Sequence, residues 1–496
     1  MTKPNYERMC LFMKQIKKGL SGILALTMCI SIMTGCAANP DKGVVTSKND
    51  GVFEQNMTVA ATAPLDEEIL YTDTFTSHDG TAEYTINLDQ ELTSDPLPIV
   101  EVVPHFFTGE EVKRICDVLL GETQWREQIH EDSPQYSKSE IQKKLKWMTE
   151  IANENAMREL VGDDRGWEDE LSTLKIKMQR YTVMLETAPE ENPRAVCDWT
   201  FQDESLYVSP SYENKCIHAT TYIGDTEYYV YCIQRDRNDY KNSRLIIGLG
   251  NNRDHLYCQY LCSKVQRTEE PSQEQLDVLA EKAQNLLDQM GVGQWLVSNV
   301  KVNEIVYGDI SEYTVVISAA PVLNGTAAIY DQPKENLTSE DANASNYLST
   351  SASIHFSANG DLIYLDVCAP VDIVTVVNEG AATLSMDELL VKAKDHLSLG
   401  GIEETREYLF LSQYHDTPVT CKTEIDRVEF GLVRVKVADK DYTYYYTPAL
   451  AIYGKEKFYE KDTGEEIEWF EYTYPYPHES TCLFWINAID GSIITN

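Results

Sequence analysis

Ser272-Gln-Glu-Gln-Leu-Asp-Val-Leu-Ala-Glu-Lys-Ala-Gln-Asn-Leu-Leu-Asp-Gln-Met-Gly291 reads as one helix with both ends marked. Ser272 and Gln275 stand three apart, the spacing at which each side chain can bond the other's backbone N–H. Leu276, Leu279, Ala280, Ala283, Leu286, Leu287 and Met290 recur at helical period on one face, and Gly291 supplies the stop. A helix with one apolar stripe needs a surface to cover. The next segments supply it, with strand patterns at residues 300–306 and 313–319, a polar loop, then 353–365 folded about Asn359-Gly360. Asn-Gly is the strongest short-range hairpin signal, because both central residues of the tight turn need a positive φ.

The same grammar recurs downstream. Ser385-Met-Asp-Glu388 is a second capping box, leading Leu389, Leu390, Ala393 and Leu397 to a stop at Gly400-Gly401. Strand patterns follow at 427–437 and 442–452, then a polar, aromatic loop and 482–494 with Asp490-Gly491 at its turn. We read residues 270–378 and 382–496 as two related helix-on-sheet units.

Upstream, residues 82–88 alternate as a strand, and Thr108-Gly-Glu-Glu111 caps a helix carrying Val112, Ile115, Cys116, Leu119 and Leu120. Ser137 or Ser139 opens a second helix to about Leu160, and a third reaches about Tyr181. From 197 to 262 the texture changes to short β-branched and aromatic runs, at 206–208, 218–223, 227–234 and 245–249, expected as an antiparallel meander. Residues 65–265 are therefore expected as an N-terminal α+β domain. The fold class is α+β and multidomain, with antiparallel sheets each packed by amphipathic helices.

Lys14, Lys17 and Lys18 precede an apolar run over 23–33 that ends at Met33-Thr34-Gly35-Cys36. A basic start, a short apolar core and a small residue before the cut make an export signal. The apolar run is shorter than the roughly 18 residues a spanning helix needs. Met13 also begins a compact basic segment of its own. Met33–Cys36 resembles the lipobox of bacterial lipoproteins. That resemblance implies a signal peptide over 1–35 and lipidation of Cys36, which anchors the chain to the membrane on its extracytoplasmic face. Two acyl chains suffice for stable anchoring. Residues 36–64, small and polar, read as a flexible tether. The chain as a whole is similar to uncharacterised lipoproteins of Gram-positive anaerobes. Its last residues, from Trp485 to Ile494, resemble the close of PepSY-type modules, which implies a helix packed on an antiparallel sheet and a regulatory role.

Charge narrows the partners. Lys and Arg total 42 against 80 Asp and Glu, a net charge of −38. Such a chain is repelled by phosphate backbones, which argues against nucleic acid. Anionic headgroups repel it too, leaving the lipid as the membrane contact.

Of twelve cysteines, nine lie beyond Cys36: Cys116, Cys197, Cys216, Cys232, Cys258, Cys262, Cys368, Cys421 and Cys482. Cys258 and Cys262 form the one close pair, with His255 nearby. Zinc would need further ligands at metal spacing, so no metal or cofactor is expected.

Catalytic motifs are absent: no Gly-x-Ser-x-Gly, no His-Glu-x-x-His and no phosphate-binding Gly-x-x-x-x-Gly-Lys. Ser172-Thr-Leu-Lys175 has a catalytic spacing but lies on an amphipathic helix. Asp163, Asp164, Glu168, Asp169 and Glu170 lack calcium-loop spacing and read as a solvated turn with an acidic first helical turn. Cys216 and His218 share a strand face without a visible oxyanion site. The aromatic loop with Trp469, Tyr472, Tyr474, Tyr476 and His478 is the candidate contact surface for an envelope protein or glycan. These readings point to a non-catalytic binding or regulatory role at the cell envelope. The alternatives are an envelope hydrolase acting on wall glycan or peptide, and a solute-binding lipoprotein.

Overall fold

The computed structural model describes residues 52–128, 136–161, 167–203, 214–236, 241–250, 270–307, 310–330, 350–399, 419–436, 442–467 and 480–494. They belong to one unit, Lys48–Asn496. In chain order the elements begin with α1 (Val52–Asn56), the hairpin β1 (Leu65–Thr76) and β2 (Ala82–Ser94), and β3 (Ile99–Pro104). Helix α2 (Gly109–Leu120), β4 (Arg126–Glu127) and the helices α3 (Lys138–Ile151), α4 (Glu154–Val161) and α5 (Trp167–Thr187) follow. The meander is β5 (Gln202–Asp203), β6 (Asn214–Ile223), β7 (Thr226–Asp236) and β8 (Lys241–Leu249). The third quarter holds α6 (Gln273–Met290), β9 (Trp295–Tyr307), β10 (Ile310–Leu323), β11 (Thr326–Ala327), β12 (Ser351–Ser357), β13 (Leu362–Cys368) and β14 (Val371–Asn378). The chain closes with α7 (Met386–Leu399), β15 (Val419–Lys436), β16 (Tyr444–Glu460), β17 (Thr481–Asn487) and β18 (Ile493–Ile494).

The protein is α+β, built on two large, mostly antiparallel sheets. One runs β1-β2-β15-β16-β17-β18, with β3 joining β16 to β14. The other runs β11-β10-β12-β13-β8-β7-β6-β4, with β9 on β10 and β5 on β6. Strands therefore do not keep to the linear divisions expected from sequence. Residues 65–104 sit in the sheet of 419–494, through a parallel ladder from Cys421↔Ala82 to Ile425↔Ile86. The meander of 214–249 pairs instead with β13, through Tyr364↔Gly248 to Cys368↔Arg244. Strand β14, which the sequence reading placed with 270–378, pairs with β3 in the other sheet.

The two C-terminal segments share one topology. After each capped helix, four strands form an antiparallel meander, β9-β10-β12-β13 in the first and β15-β16-β17-β18 in the second. Ser272 and Gln275 form the expected capping box, and Gly291 ends α6 in the left-handed region. Ser385 and Glu388 exchange the same bonds. The apolar stripe of α6 (Leu279, Ala283, Leu287, Met290) joins that of α2 (Val112, Ile115, Cys116) over one face of the ten-stranded sheet, burying Val230, Ile247, Ile317 and Leu365. Helix α7 covers the other sheet, with His396 4.8 Å from the Phe484 ring.

Ser137 is the cap of α3, but that helix stops at Ile151 and α4 starts at Glu154, so one expected helix is two. Helices α3 to α5 make a separate cluster, packing Trp147, Met148, Met157 and Leu174 against Leu249 and Ile363 at the strand ends.

Candidate functional site: a cavity where the sheets meet

The chain passes between the sheets at two places that lie side by side, 104–107 and 368–371. Their backbones are tied: His105 N–H donates to Pro370 O (2.8 Å), and Ala369 N–H donates to Ser243 O (2.8 Å). The Ser243 hydroxyl donates to His105 O (2.6 Å). Ala369 is held at φ +43°, a left-handed conformation unusual for a residue with a Cβ. Nearby, Leu323 and Ala328 bury among Val100, Val102, Leu432 and Tyr446 of the eight-stranded sheet. This docks the hairpin that follows β10.

Three segments line an open cavity of about 360 Å³ beside this crossing. One wall is the turn after α6, Gly293 to Trp295. Arg114 fixes its entry by donating to Met290 O (2.9 Å), and Trp295 Nε1 donates to Val292 O (2.7 Å), which seats the indole. A second wall is Pro321 to Asn324 at the tip of the β10 hairpin, with Asn324 at φ +49°. The third is Thr350 with Pro370 to Ile373 on the crossing itself. Apolar surface dominates the walls, and their exposed polar groups are the amides of Gln294 and Asn324 and the carboxylate of Asp372.

Asp372 is positioned by a histidine. His105 Nδ1 lies 3.0 and 3.1 Å from its two oxygens, and because a carboxylate only accepts, Nδ1 is the donor. On the far side His105 Nε2 is 3.5 Å from Glu111 Oε2. That same oxygen accepts from Thr108 N–H (2.7 Å) and Thr108 Oγ1 (2.9 Å) in the capping box of α2. Burial alone would raise the Glu111 carboxyl's pKa; the Thr108 hydrogen bonds and His105 outweigh it and hold it below its usual value. The imidazole is thus clasped between a cap carboxylate and the cavity carboxylate, its ring edge-on to Phe107 at 5.6 Å.

A second polar cluster occupies the opposite face of the ten-stranded sheet from α2 and α6. Arg244 donates twice to Asp366 (2.9 and 2.5 Å), and Tyr364 Oη donates to the same carboxylate (3.4 Å). His355 Nε2 lies 3.0 Å from Ser353 Oγ and its ring meets Tyr364 edge-on at 5.3 Å. Burial lowers the pKa of His355, which keeps the imidazole neutral near pH 7, although Asp366 opposes that shift. Burial, then Asp366, pushes the Tyr364 phenol up to about 12. The Arg244 and Asp366 charges answer each other across adjacent strands, so this cluster stitches β8 to β13.

Cys36 and all of Trp469, Tyr472, Tyr474, Tyr476 and His478 lie outside the described residues, as do Asp163, Asp164, His255, Cys258 and Cys262. Glu168, Asp169 and Glu170 form the acidic first turn of α5, and Ser172 and Lys175 point to solvent on that helix. Cys216 is buried on β6 and the His218 ring lies edge-on to Tyr231. None of the residues singled out from sequence lines the cavity. Its signals were local and small: two glycines around Val292, Asn324-Gly325, and Ala369-Pro370. Each marks a chain that must bend sharply, without saying what the bends enclose.

Neither a protein-family model nor a curated protein matches the chain. Among solved structures it is similar to the crystal structure of an uncharacterized protein from Eubacterium rectale ATCC 33656. The two share 12% identity over 86% of this chain and 100% of that one, with a TM-score of 0.30.

Proposed function

We propose that the chain is a lipid-anchored, extracytoplasmic binding protein that holds a small ligand in the cavity between its sheets. The observation that carries the binding part is the cavity itself. Three separate segments build its walls, and its volume is in the range of small-molecule sites. His105 spends its Nδ1–H on fixing Asp372, so it serves position. The envelope location rests on the basic, apolar and Gly35-Cys36 sequence of the export segment. Among the described residues no helix is long and apolar enough to cross a membrane. The aromatic segment 469–478 is proposed as the contact for an envelope protein or glycan.

Metabolic labelling with an alkyne-bearing fatty acid, followed by fractionation, tests the anchor. Wild-type chain takes up label and sediments with membranes, whereas Cys36→Ala takes up none and keeps the apolar segment 23–33, which shows as a larger mass. Label retained by Cys36→Ala, or none on the wild-type chain, sinks the anchoring reading.

A further inference from the structure

The polar groups of the cavity say what kind of ligand it takes. Among the described residues its lining includes no lysine, arginine or histidine, and their one charged group is the Asp372 carboxylate, within a chain of net charge −38. A carboxylate or phosphate ligand finds no counter-charge there and meets repulsion. A purely apolar ligand is disfavoured as well. It would strip water from Asp372 and from two primary amides, Gln294 and Asn324, and return no hydrogen bonds.

The amides decide between the remaining classes. Each has two N–H donors and one acceptor, and neither has a protein partner among the described residues. An ammonium ligand pairs only with the carboxylate and the amide oxygens and leaves the four amide N–H donors to solvent. A hydroxyl both donates and accepts. It can give its proton to Asp372, which His105 already holds in place, and take one from Gln294 or Asn324. Sugars also carry C–H faces that suit the Trp295, Leu323 and Val371 side of the cavity. We propose that the junction cavity binds an uncharged polyhydroxyl ligand, a monosaccharide or the end of a short glycan. This rests on the reading of the cavity as a ligand site.

The test uses the full chain in detergent, labelled with 5-fluorotryptophan, with the Trp295 resonance assigned by Trp295→Phe. Three panels are titrated: glucose, galactose, N-acetylglucosamine and cellobiose; putrescine and lysine amide; acetate and inorganic phosphate. The expected result is a saturable shift of the Trp295 resonance by at least one sugar and by neither charged panel. Asp372→Asn is expected to weaken that binding roughly tenfold, the cost of one charge-assisted hydrogen bond. Gln294→Ala, at an exposed position that leaves the fold alone, is expected to weaken it several-fold. A shift by an amine or an anion and by no sugar overturns the ligand class and leaves the cavity a binding site. No shift by any panel overturns both.

Discussion

At the scale of single residues the structure spends its buried charge on stability. Lys144 on α3 lies 3.2 Å from Glu227 on β7, their side chains only 7% and 1% exposed. Burial alone would lower the Lys144 pKa. The Glu227 carboxylate more than reverses this, so the ammonium stays charged, its pKa well above the usual value. One turn away Arg194 pairs with Glu140 and donates to Thr220 Oγ1 (2.7 Å). Removing one partner leaves an uncompensated buried charge, so Glu227→Gln should cost about 3–5 kcal/mol, read from the urea midpoint. The double variant Lys144→Met/Glu227→Gln should recover much of it. A single variant within about 0.5 kcal/mol of wild type would show that water reaches the pair. The sign of the pH dependence follows. A raised lysine contributes stability that is complete below its ordinary pKa of 10.5 and is lost only as pH climbs through the higher folded value. The thiols behave alike. Burial pushes Cys197 to about 11 and Cys368 to about 12, and raises Cys116 and Cys232 well above the usual 9.0. Stability tied to them should therefore decline as pH rises from about 9. At pH 8 the folded chain should resist iodoacetamide at these four positions, with labelling mapped by peptide mass spectrometry; rapid alkylation of Cys368 would contradict its burial. Among residues, caps were the legible part. Thr108, Ser137, Ser272 and Ser385 act through bonds that span three positions, so sequence spacing contains the whole interaction. Asp372 and His105 are 267 positions apart, and no local pattern joins them.

At the scale of elements the turn glycines do two things at once. Gly360 (φ +86°) and Gly491 (φ +75°) close the final hairpins of the two C-terminal meanders, in a conformation that costs a side-chain-bearing residue about 1–2 kcal/mol. Each also lies against the helix segment that precedes its meander. A Cβ at Gly360 comes 3.2 Å from Leu279 Cδ2, and one at Gly491 comes 3.2 Å from Leu384 Cδ1. Gly80 has a similar φ of +73° but faces open space. Alanine at 360 or 491 should therefore lower the melting temperature more than alanine at 80, by several degrees if the crowding adds about 1 kcal/mol. Equal losses at all three would mean that the helices yield freely and only backbone strain counts. The hairpins and helices were legible because their signals, period and turn chemistry, are local. Strand β1 was not. Leu65, Ile69, Tyr71 and Phe75 alternate onto one face, but only Ile69 is buried, and the Asp, Glu and Thr residues between them mask that edge-strand pattern. Its pairing to β2 runs from Leu65↔Ser94 to Thr76↔Glu83, and Phe75 stacks on Tyr84 at 5.3 Å, a contact that neither strand's sequence announces alone.

At the scale of the whole molecule the two sheets are laced together by chain order. The N-terminal hairpin and β3 complete the sheet of the C-terminal unit, while the meander of 214–249 completes the sheet of the first unit. Sequence reading cuts the chain where composition changes, at 265–270, but that cut separates β2 from β15 and β8 from β13. A parallel ladder between segments more than 300 positions apart leaves no trace in local sequence, because the loop entropy it must overcome is repaid only by the finished core. The consequence is cooperative. Residues 65–265 alone would expose the edges of β2, β3 and β8 and strip the α6 stripe from Val230 and Ile247. That fragment should show no cooperative urea transition and should aggregate through its bared edges. Residues 48–496 should lose near- and far-ultraviolet circular dichroism together in one transition. A stable, cooperatively unfolding 65–265 fragment would overturn this account, for it would mean the lacing adds to a core already complete.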